Sequence, residues 1–590
     1  MQKRRILIFS LISAGFAAWL AVGANSAASA AATPNALAPY EELRIRVPMR
    51  DHIGLSTNVF HPAGTGRFPT ILIRTPYGKG TSLVPNYRAF VDHGYVVVTQ
   101  DVRGRYESPG VFSPLTQEAP DGDDTLNWIA AQSWSDGKVG MTGGSYLGIA
   151  QWKVALLNNP HLKAIFPVVS GWDDYRDRFY SPGGAMKLGH RLLWMSENLR
   201  LPDFVPDFKK FIWRLPVRVA DVSATGQELP IYRESMDHPS DDDYWKRSST
   251  REHIKEIRIP VFAVGGWYDN YVESDLQAFQ ALHKHGGLNR VLIGPWPHNM
   301  SIPFKTVSFG AQASVPIRRL QLQWFDHWLK GVDTPIMSQA PVEIFVMGAN
   351  VWRHENEWPP ARTRNVRFYL ASNGHANTLF GDGTLQNSPQ SHSVPDQYTY
   401  DPMKPVPTMG GAVCCNPAIF PWGPMDQRPV EKRHDVLVYT SPVLADDMEV
   451  TGQVQIVLRA SSNAPDTDFT AKLVDVFPNG EARNLTDGIL RARYRESLEK
   501  PKLLKSGEIN RLEIDAGVTS NLFQKGHRIR LEISSSNFPR FDRNLNTGRV
   551  VEDETQVRRA DQVIYHDRTN HSYVLLPVLP GYSTVLKSTR

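Results

Sequence analysis

Short apolar runs recur through the first part of the chain, each bounded by Gly, Pro or Asp and separated by amphipathic stretches. Thr70-Ile71-Leu72-Ile73, Tyr95-Val96-Val97-Val98, the run into Val139-Gly140-Met141 and Ile165-Phe166-Pro167-Val168-Val169 all read as buried strands. Strands alternating with helical patterns predict a mostly parallel sheet with helices on both faces, an α/β class fold over residues 34–171. From 172 to 255 the pattern changes to Trp-, Arg- and Asp-rich helical stretches such as Leu192-Leu193-Trp194-Met195. That segment is expected to be a helical cap. The α/β pattern returns at Ile259 for residues 256–340 and closes with the amphipathic stretch Leu320 to Leu329. Beyond 341 the chain alternates like strands, with Val342-Glu343-Ile344-Phe345-Val346, Val454 to Leu458, Arg528 to Ile533 and Tyr573 to Leu576 separated by turn residues, which predicts an all-β sandwich over 341–590.

One strand end carries chemistry. Val139-Gly140-Met141-Thr142-Gly143-Gly144-Ser145-Tyr146-Leu147-Gly148 runs from an apolar strand through a Gly-flanked serine into a helical pattern, the signature of a nucleophile elbow. Glycines 143, 144 and 148 are expected to supply the room that this sharp turn needs. The last glycine stands three residues after the serine, one later than in the usual Gly-x-Ser-x-Gly spacing. A nucleophilic serine needs a base and a carboxylate that orients the base. Both follow in α/β-hydrolase order. Ile259 to Val264 breaks at Gly265-Gly266-Trp267-Tyr268-Asp269, and Arg290 to Ile293 ends in Gly294-Pro295-Trp296-Pro297-His298. Ser145, Asp269 and His298 thereby fall on loops after strand carboxyl ends, where open α/β sheets collect their ligands.

Taken with Arg74-Thr75-Pro76-Tyr77-Gly78-Lys79, Asp101-Val102-Arg103-Gly104-Arg105, Gln151-Trp152 and Ser534-Ser535-Ser536-Asn537-Phe538-Pro539, these motifs resemble the cocaine esterase-like (CocE/NonD) hydrolases. Relatives of that family include α-amino acid ester hydrolases, glutaryl-cephalosporin acylases and X-Pro dipeptidyl peptidases. In the family the elbow glycine does sit three residues after the serine. The resemblance implies a Ser145–His298–Asp269 triad, an oxyanion hole from the Tyr77 hydroxyl and the Tyr146 backbone N–H, and a jelly roll for the C-terminal unit. Physically, Tyr146 offers an unpaired amide at a helix start, and a phenol is a good donor at neutral pH. Relatives also bring a loop after a Pro-Val-Pro and Gly-Gly signature to the acyl pocket. Here Pro405-Val406-Pro407 and Gly410-Gly411 lead to Cys414 and Cys415, which join Trp172 and Tyr271 as candidate pocket residues.

The expected activity is that of a serine hydrolase cleaving carboxylic esters or amides through an acyl-enzyme, with no cofactor and a small-molecule substrate. X-Pro dipeptidyl peptidase, β-lactam acylase and amino acid ester hydrolase activities are alternatives within that class. An X-Pro peptidase is disfavoured because the hydrolase pattern starts soon after the leader. A non-enzymatic alternative is a surface-ligand binding protein whose hydrolase unit is inert. Ammonium recognition wants a carboxylate cluster by the nucleophile, whereas Leu147 and Gly148 follow Ser145-Tyr146, which disfavours amino-acyl substrates; Asp173, Asp174 or Glu273 are the carboxylates that could reach the site instead.

Composition changes little in this picture. The 590 residues are 41% hydrophobic and 21% charged, an ordinary globular balance. Residues 1–30 read as an export signal, with a basic start at Lys3-Arg4-Arg5, an apolar stretch from Ile6 to Val22 and Ala28-Ser29-Ala30 as the cleavage candidate. A membrane anchor is the alternative for this segment, and Arg4-Arg5 leaves the twin-arginine route open. The mature protein is expected in the periplasm or the medium. Without those three basic residues, the 65 fall to 62 against 60 acidic ones, too balanced to argue for nucleic acid or an anionic membrane as partner. The adjacent cysteines read as free thiols, since neighbouring α-carbons lie about 3.8 Å apart, closer than ordinary disulfides allow. No cysteine or histidine cluster has metal-ligand spacing in the sequence. Asp101 and its neighbouring arginines read as a structural ion pair, and Asp241-Asp242-Asp243 as a solvated loop.

Overall fold

The computed structural model describes residues 39–581; the leader therefore lies outside the described residues. Ten strands form the first sheet: β1 (Tyr40–Pro48), β2 (Gly54–Pro62), β3 (Phe68–Thr75), β4 (Val96–Asp101), β5 (Ser135–Gly144), β6 (Leu162–Val168), β7 (Phe262–Tyr268), β8 (Arg290–Pro297), β9 (Val342–Val346) and β10 (Val351–Glu355). Their order is β1-β2-β4-β3-β5-β6-β7-β8-β9-β10. The run from β4 to β9 is parallel, and antiparallel strands close both edges.

Alternation along each strand feeds two layers. Ile71 and Ile73 face a core built with Trp324 and Phe325 of the helix Ile317–Lys330. Leu72, between them, faces the other layer with Trp152 of the helix Tyr146–Ala155 and Leu126 of the helix Glu118–Ala130. Both faces of the sheet are thus covered, as continuous apolar strands require.

Residues 172–255 are helical, beginning with a π-helical turn at Asp174–Phe179 and including the helix Leu188–Asn198. The C-terminal unit is a β-rich, eleven-stranded sheet that is antiparallel except for one contact between Thr384 and Thr440. Its long strands Met448–Ser462 and Asn510–Phe523 pair along most of their length. Among the described residues, no helix is long and apolar enough to cross a membrane.

The boundary between the two sheets differs from the sequence expectation. Val342–Val346 does not open the C-terminal unit; it pairs in parallel with β8, and β10 pairs with it in turn. Alternating hydropathy identifies a strand but carries no information on which sheet will receive it.

Two charged motifs also find other partners. Arg103 pairs with Asp121 and Asp51, whereas the Asp101 carboxylate accepts the Lys79 backbone N–H at 2.6 Å. Of the acidic run, Asp241 is buried against Arg176, and Asp242 caps the short helix Asp243–Lys246 by accepting from the Tyr244 N–H. These groups are structural, but neither motif makes the arrangement its sequence implied.

Candidate active site

Ser145 stands between β5 and the helix Tyr146–Ala155 with φ 57° and ψ −123°, a backbone conformation that L-residues adopt only when the surroundings impose it. The imposition is visible in the packing. A Cβ on Gly148 would come within 2.5 Å of Ser170, and one on Gly143 within 2.5 Å of Leu147. Gly144 has no such crowding, its nearest neighbour being 3.5 Å away. The room at the elbow therefore comes from residues 143 and 148, and the late glycine is the one that lets the helix approach β6.

His298 Nε2 lies 3.0 Å from Ser145 Oγ, and His298 Nδ1 lies 2.6 Å from Asp269 Oδ1. All three side chains are buried. Asp269 is fixed further by the Tyr271 N–H, which donates to its second oxygen at 3.3 Å. Close approach of β7 and β8 places the two loops side by side. A Cβ on Gly266 would fall 2.2 Å from the Trp296 carbonyl oxygen, so only glycine permits that approach.

The Tyr77 hydroxyl sits at the same point, in hydrogen-bonding contact with Ser145, the Tyr146 backbone N–H and the Trp194 indole. Trp194 Nε1 donates to it at 3.1 Å. Burial pushes the Tyr77 phenol above its ordinary value, and these hydrogen bonds offset that only in part. The hydroxyl consequently keeps its proton, and because Trp194 occupies an oxygen lone pair, the O–H remains able to donate.

Beneath the elbow a buried network holds the loops in place. Arg74 Nη1 donates to Glu118 Oε2 at 2.6 Å, and the Tyr146 hydroxyl donates to Glu118 Oε1 at 2.7 Å. Arg74 and Glu118 are almost wholly inaccessible. Glu118 was not a sequence candidate, since its partners lie 44 and 28 residues away. Replacing Glu118 with Ala should destabilise the protein by about 3–5 kcal/mol, because Arg74 is left buried without its closest partner. Denaturant titration of the purified variant checks this; a midpoint unchanged from wild type contradicts it.

A cavity of about 160 Å³ opens beside Ser145, with Tyr77, Leu147, Val169, His298, Met300 and Arg318 among its lining residues. The other sequence candidates distribute unevenly. Trp172 is buried in the core layer with Trp152 and Ile254, not in this cavity. An aromatic ring after a strand fills either environment, and here the strand-to-helix packing takes it. Tyr271 packs its ring 5.7 Å from His298 and 6.1 Å from His190. Cys415 packs against the cluster that holds Tyr146, Trp194 and Tyr77.

The two cysteines are joined as a vicinal disulfide, contrary to the free thiols expected from their adjacency. Cys415 has φ 97°, in the left-handed region that L-residues seldom adopt. The α-carbons are 3.7 Å apart, the spacing the expectation assumed, and the two sulfurs are bonded across it nonetheless. Asp173, Asp174 and Glu273 are all engaged elsewhere. Asp173 pairs with Arg251, Asp174 with Lys153 and Arg178, and Glu273 is half-buried, its carboxyl held well above the usual range by desolvation and then by the neighbouring Asp515.

Comparison with known proteins agrees with this architecture. Residues 51–300 match the model of the X-Pro dipeptidyl-peptidase (S15) family, and residues 335–575 match the X-Pro dipeptidyl-peptidase C-terminal non-catalytic domain. The chain is 39% identical over 564 residues to the cocaine esterase of Rhodococcus sp. (strain MB1 Bresler), covering 91% of this chain and 98% of that one. It is 27% identical to a putative serine esterase of Mycobacterium bovis, over 84% of this chain and 90% of that one. Among solved structures, an aminopeptidase from a marine sediment archaeon, Thaumarchaeota archaeon, superposes with a TM-score of 0.82 at 25% identity, covering 94% and 99% of the two chains. An α-amino acid ester hydrolase superposes with a TM-score of 0.77 at 25% identity, covering 93% and 98%. With its α/β-hydrolase unit and C-terminal β-rich unit, this chain belongs to the cocaine esterase-like (CocE/NonD) family of serine hydrolases.

Proposed function

We propose that the protein is a carboxylic ester hydrolase that works through an acyl-enzyme on Ser145. The observation that carries this reading is the hydrogen-bonded line from Ser145 Oγ through His298 to Asp269, built on a strained elbow. In the reaction His298 Nε2 takes the Ser145 proton as Oγ bonds to the substrate carbonyl carbon, and Asp269 holds the ring in the tautomer that allows this. The carbonyl oxygen becomes an oxyanion between the Tyr77 O–H and the Tyr146 N–H. His298 then returns the proton to the departing alcohol, and a water repeats the sequence to release the acid.

The helices of residues 172–255 serve in this reading as a cap, and the C-terminal unit as a jelly roll that closes the site from the other side. Supporting this, Leu193 beside Trp194 packs against Val413, Phe420 and Trp422 of the C-terminal unit. Enclosure by both units excludes water and strengthens the oxyanion contacts.

Neutral acyl groups fit the cavity better than amino-acyl groups. Its lining residues include no Asp or Glu, Asp173 and Asp174 are paired with arginines, and Glu273 is set against Asp515. Burying an ammonium without a counterion is costly. A panel of p-nitrophenyl esters, amino-acyl esters and X-Pro p-nitroanilides should therefore give the highest kcat/KM for simple acyl esters, by roughly tenfold or more, a difference of about 1.4 kcal/mol. An X-Pro anilide ranked first would turn the reading toward peptidase chemistry.

Tyr77→Phe removes one hydroxyl and keeps the ring. If that hydroxyl holds the oxyanion, kcat should fall by roughly 10²–10³ with KM little changed. A change confined to KM would move Tyr77 to ground-state binding.

A further inference from the structure

The vicinal cysteine pair lies beside a histidine that the proposed reaction does not use. The imidazole nitrogens of His190 and the sulfurs of Cys414 and Cys415 bring one ligand atom each within 4.8 Å of one another. His190 is buried, on the helix Leu188–Asn198, and its Nδ1 has no hydrogen-bond partner among the described residues. An orphaned nitrogen on a buried ring normally costs free energy and calls for an explanation. Next to two sulfurs, a third bonding partner supplies one.

We propose that, when the disulfide is reduced, Cys414, Cys415 and His190 form a binding site for a thiophilic divalent ion of the zinc type. Two thiolates and an imidazole are the donors such ions prefer, and they leave a fourth position for water. The charges agree. Arg191, Lys187 and Arg178 are cationic groups that act on His190. Two thiolates then neutralise a divalent ion, so the site does not add net positive charge to that surrounding.

A dithiol reductant gives two electrons and two protons to the sulfur–sulfur bond, which breaks to two thiols, while the reductant becomes its own disulfide. Binding of the ion releases both thiol protons and forms two sulfur–metal bonds and one nitrogen–metal bond.

Position gives the site a consequence. His190 packs against Tyr271, which packs against His298, and Cys415 adjoins the cluster that holds Tyr77 and Trp194. An ion there fixes His190, whose ring contact with Tyr271 leads to His298, and should slow ester turnover. This second claim rests on the proposed hydrolase reading; the binding claim does not.

The test uses the full chain, reduced with dithiothreitol, desalted under argon and equilibrated with cadmium as the probe. Reduced protein should retain a single cadmium ion with thiolate-to-cadmium absorption, and unreduced protein none. His190→Gln and Cys414→Ser should each weaken retention by at least the roughly 10–100-fold that loss of even an outer partner costs. Where a variant fails to fold, cadmium should still protect both cysteines of the reduced wild type from iodoacetamide, read by peptide mass spectrometry. Equal retention without reduction, undiminished retention in His190→Gln, or no protection would overturn the site. Retention with unchanged ester turnover would overturn the coupling alone, whereas absence of ester turnover in metal-free protein would count against the hydrolase reading and leave the binding result standing.

Discussion

Purified Ser145→Ala should lose ester turnover by about 10⁶-fold, with the folded protein otherwise intact. The residual rate comes from binding and the oxyanion donors alone, which is why loss is not total. Ser145 sits at a tight turn, but alanine keeps the Cβ that this φ and ψ already accommodate, so the melting transition should move little. His298→Ala should cost a similar factor, because a serine without its base and a base without its serine fail in the same step. Residual activity near wild type in either purified variant would end the assignment.

Asp269→Asn carries the next largest effect, about 10⁴ in kcat. The asparagine amide can donate to His298 Nδ1, which drives the ring proton to Nε2 and turns the base away from accepting the Ser145 proton. The 2.6 Å contact between Asp269 and His298 makes this a close replacement in shape. Raising the pH should not restore activity, because the fault is the tautomer and not the charge of a titrating acid. A fall below tenfold would mean that Asp269 does not orient the histidine.

Ser145, Asp269 and His298 were legible in the sequence for one physical reason: each follows a short apolar strand at a break marked by glycine or proline. Strand, turn and reactive side chain are local signals. Glu118, Trp194 and His190 gave no such signal. Glu118 looks like any helix-start carboxylate until Arg74 and Tyr146 converge on it, and Trp194 looks like one more apolar residue of a helix until its indole meets Tyr77. Both contacts join residues far apart in the chain, and periodicity does not encode them. The strand Val342–Val346 was legible as a strand but not as a member of the first sheet, and Trp172 as an aromatic but not as core. The cysteine pair failed for a different reason. Its disulfide forms between α-carbons 3.7 Å apart, a spacing from which free thiols were expected, and Cys415 takes a positive φ that residue type does not announce.

A fluorophosphonate probe reads directly whether Ser145 is the nucleophile. Wild-type protein incubated with the probe, digested and mapped by mass spectrometry should carry the adduct on the peptide containing Ser145, and His298→Ala should label far more slowly. An adduct on another serine, or no adduct in folded protein that still turns over esters, would contradict the account.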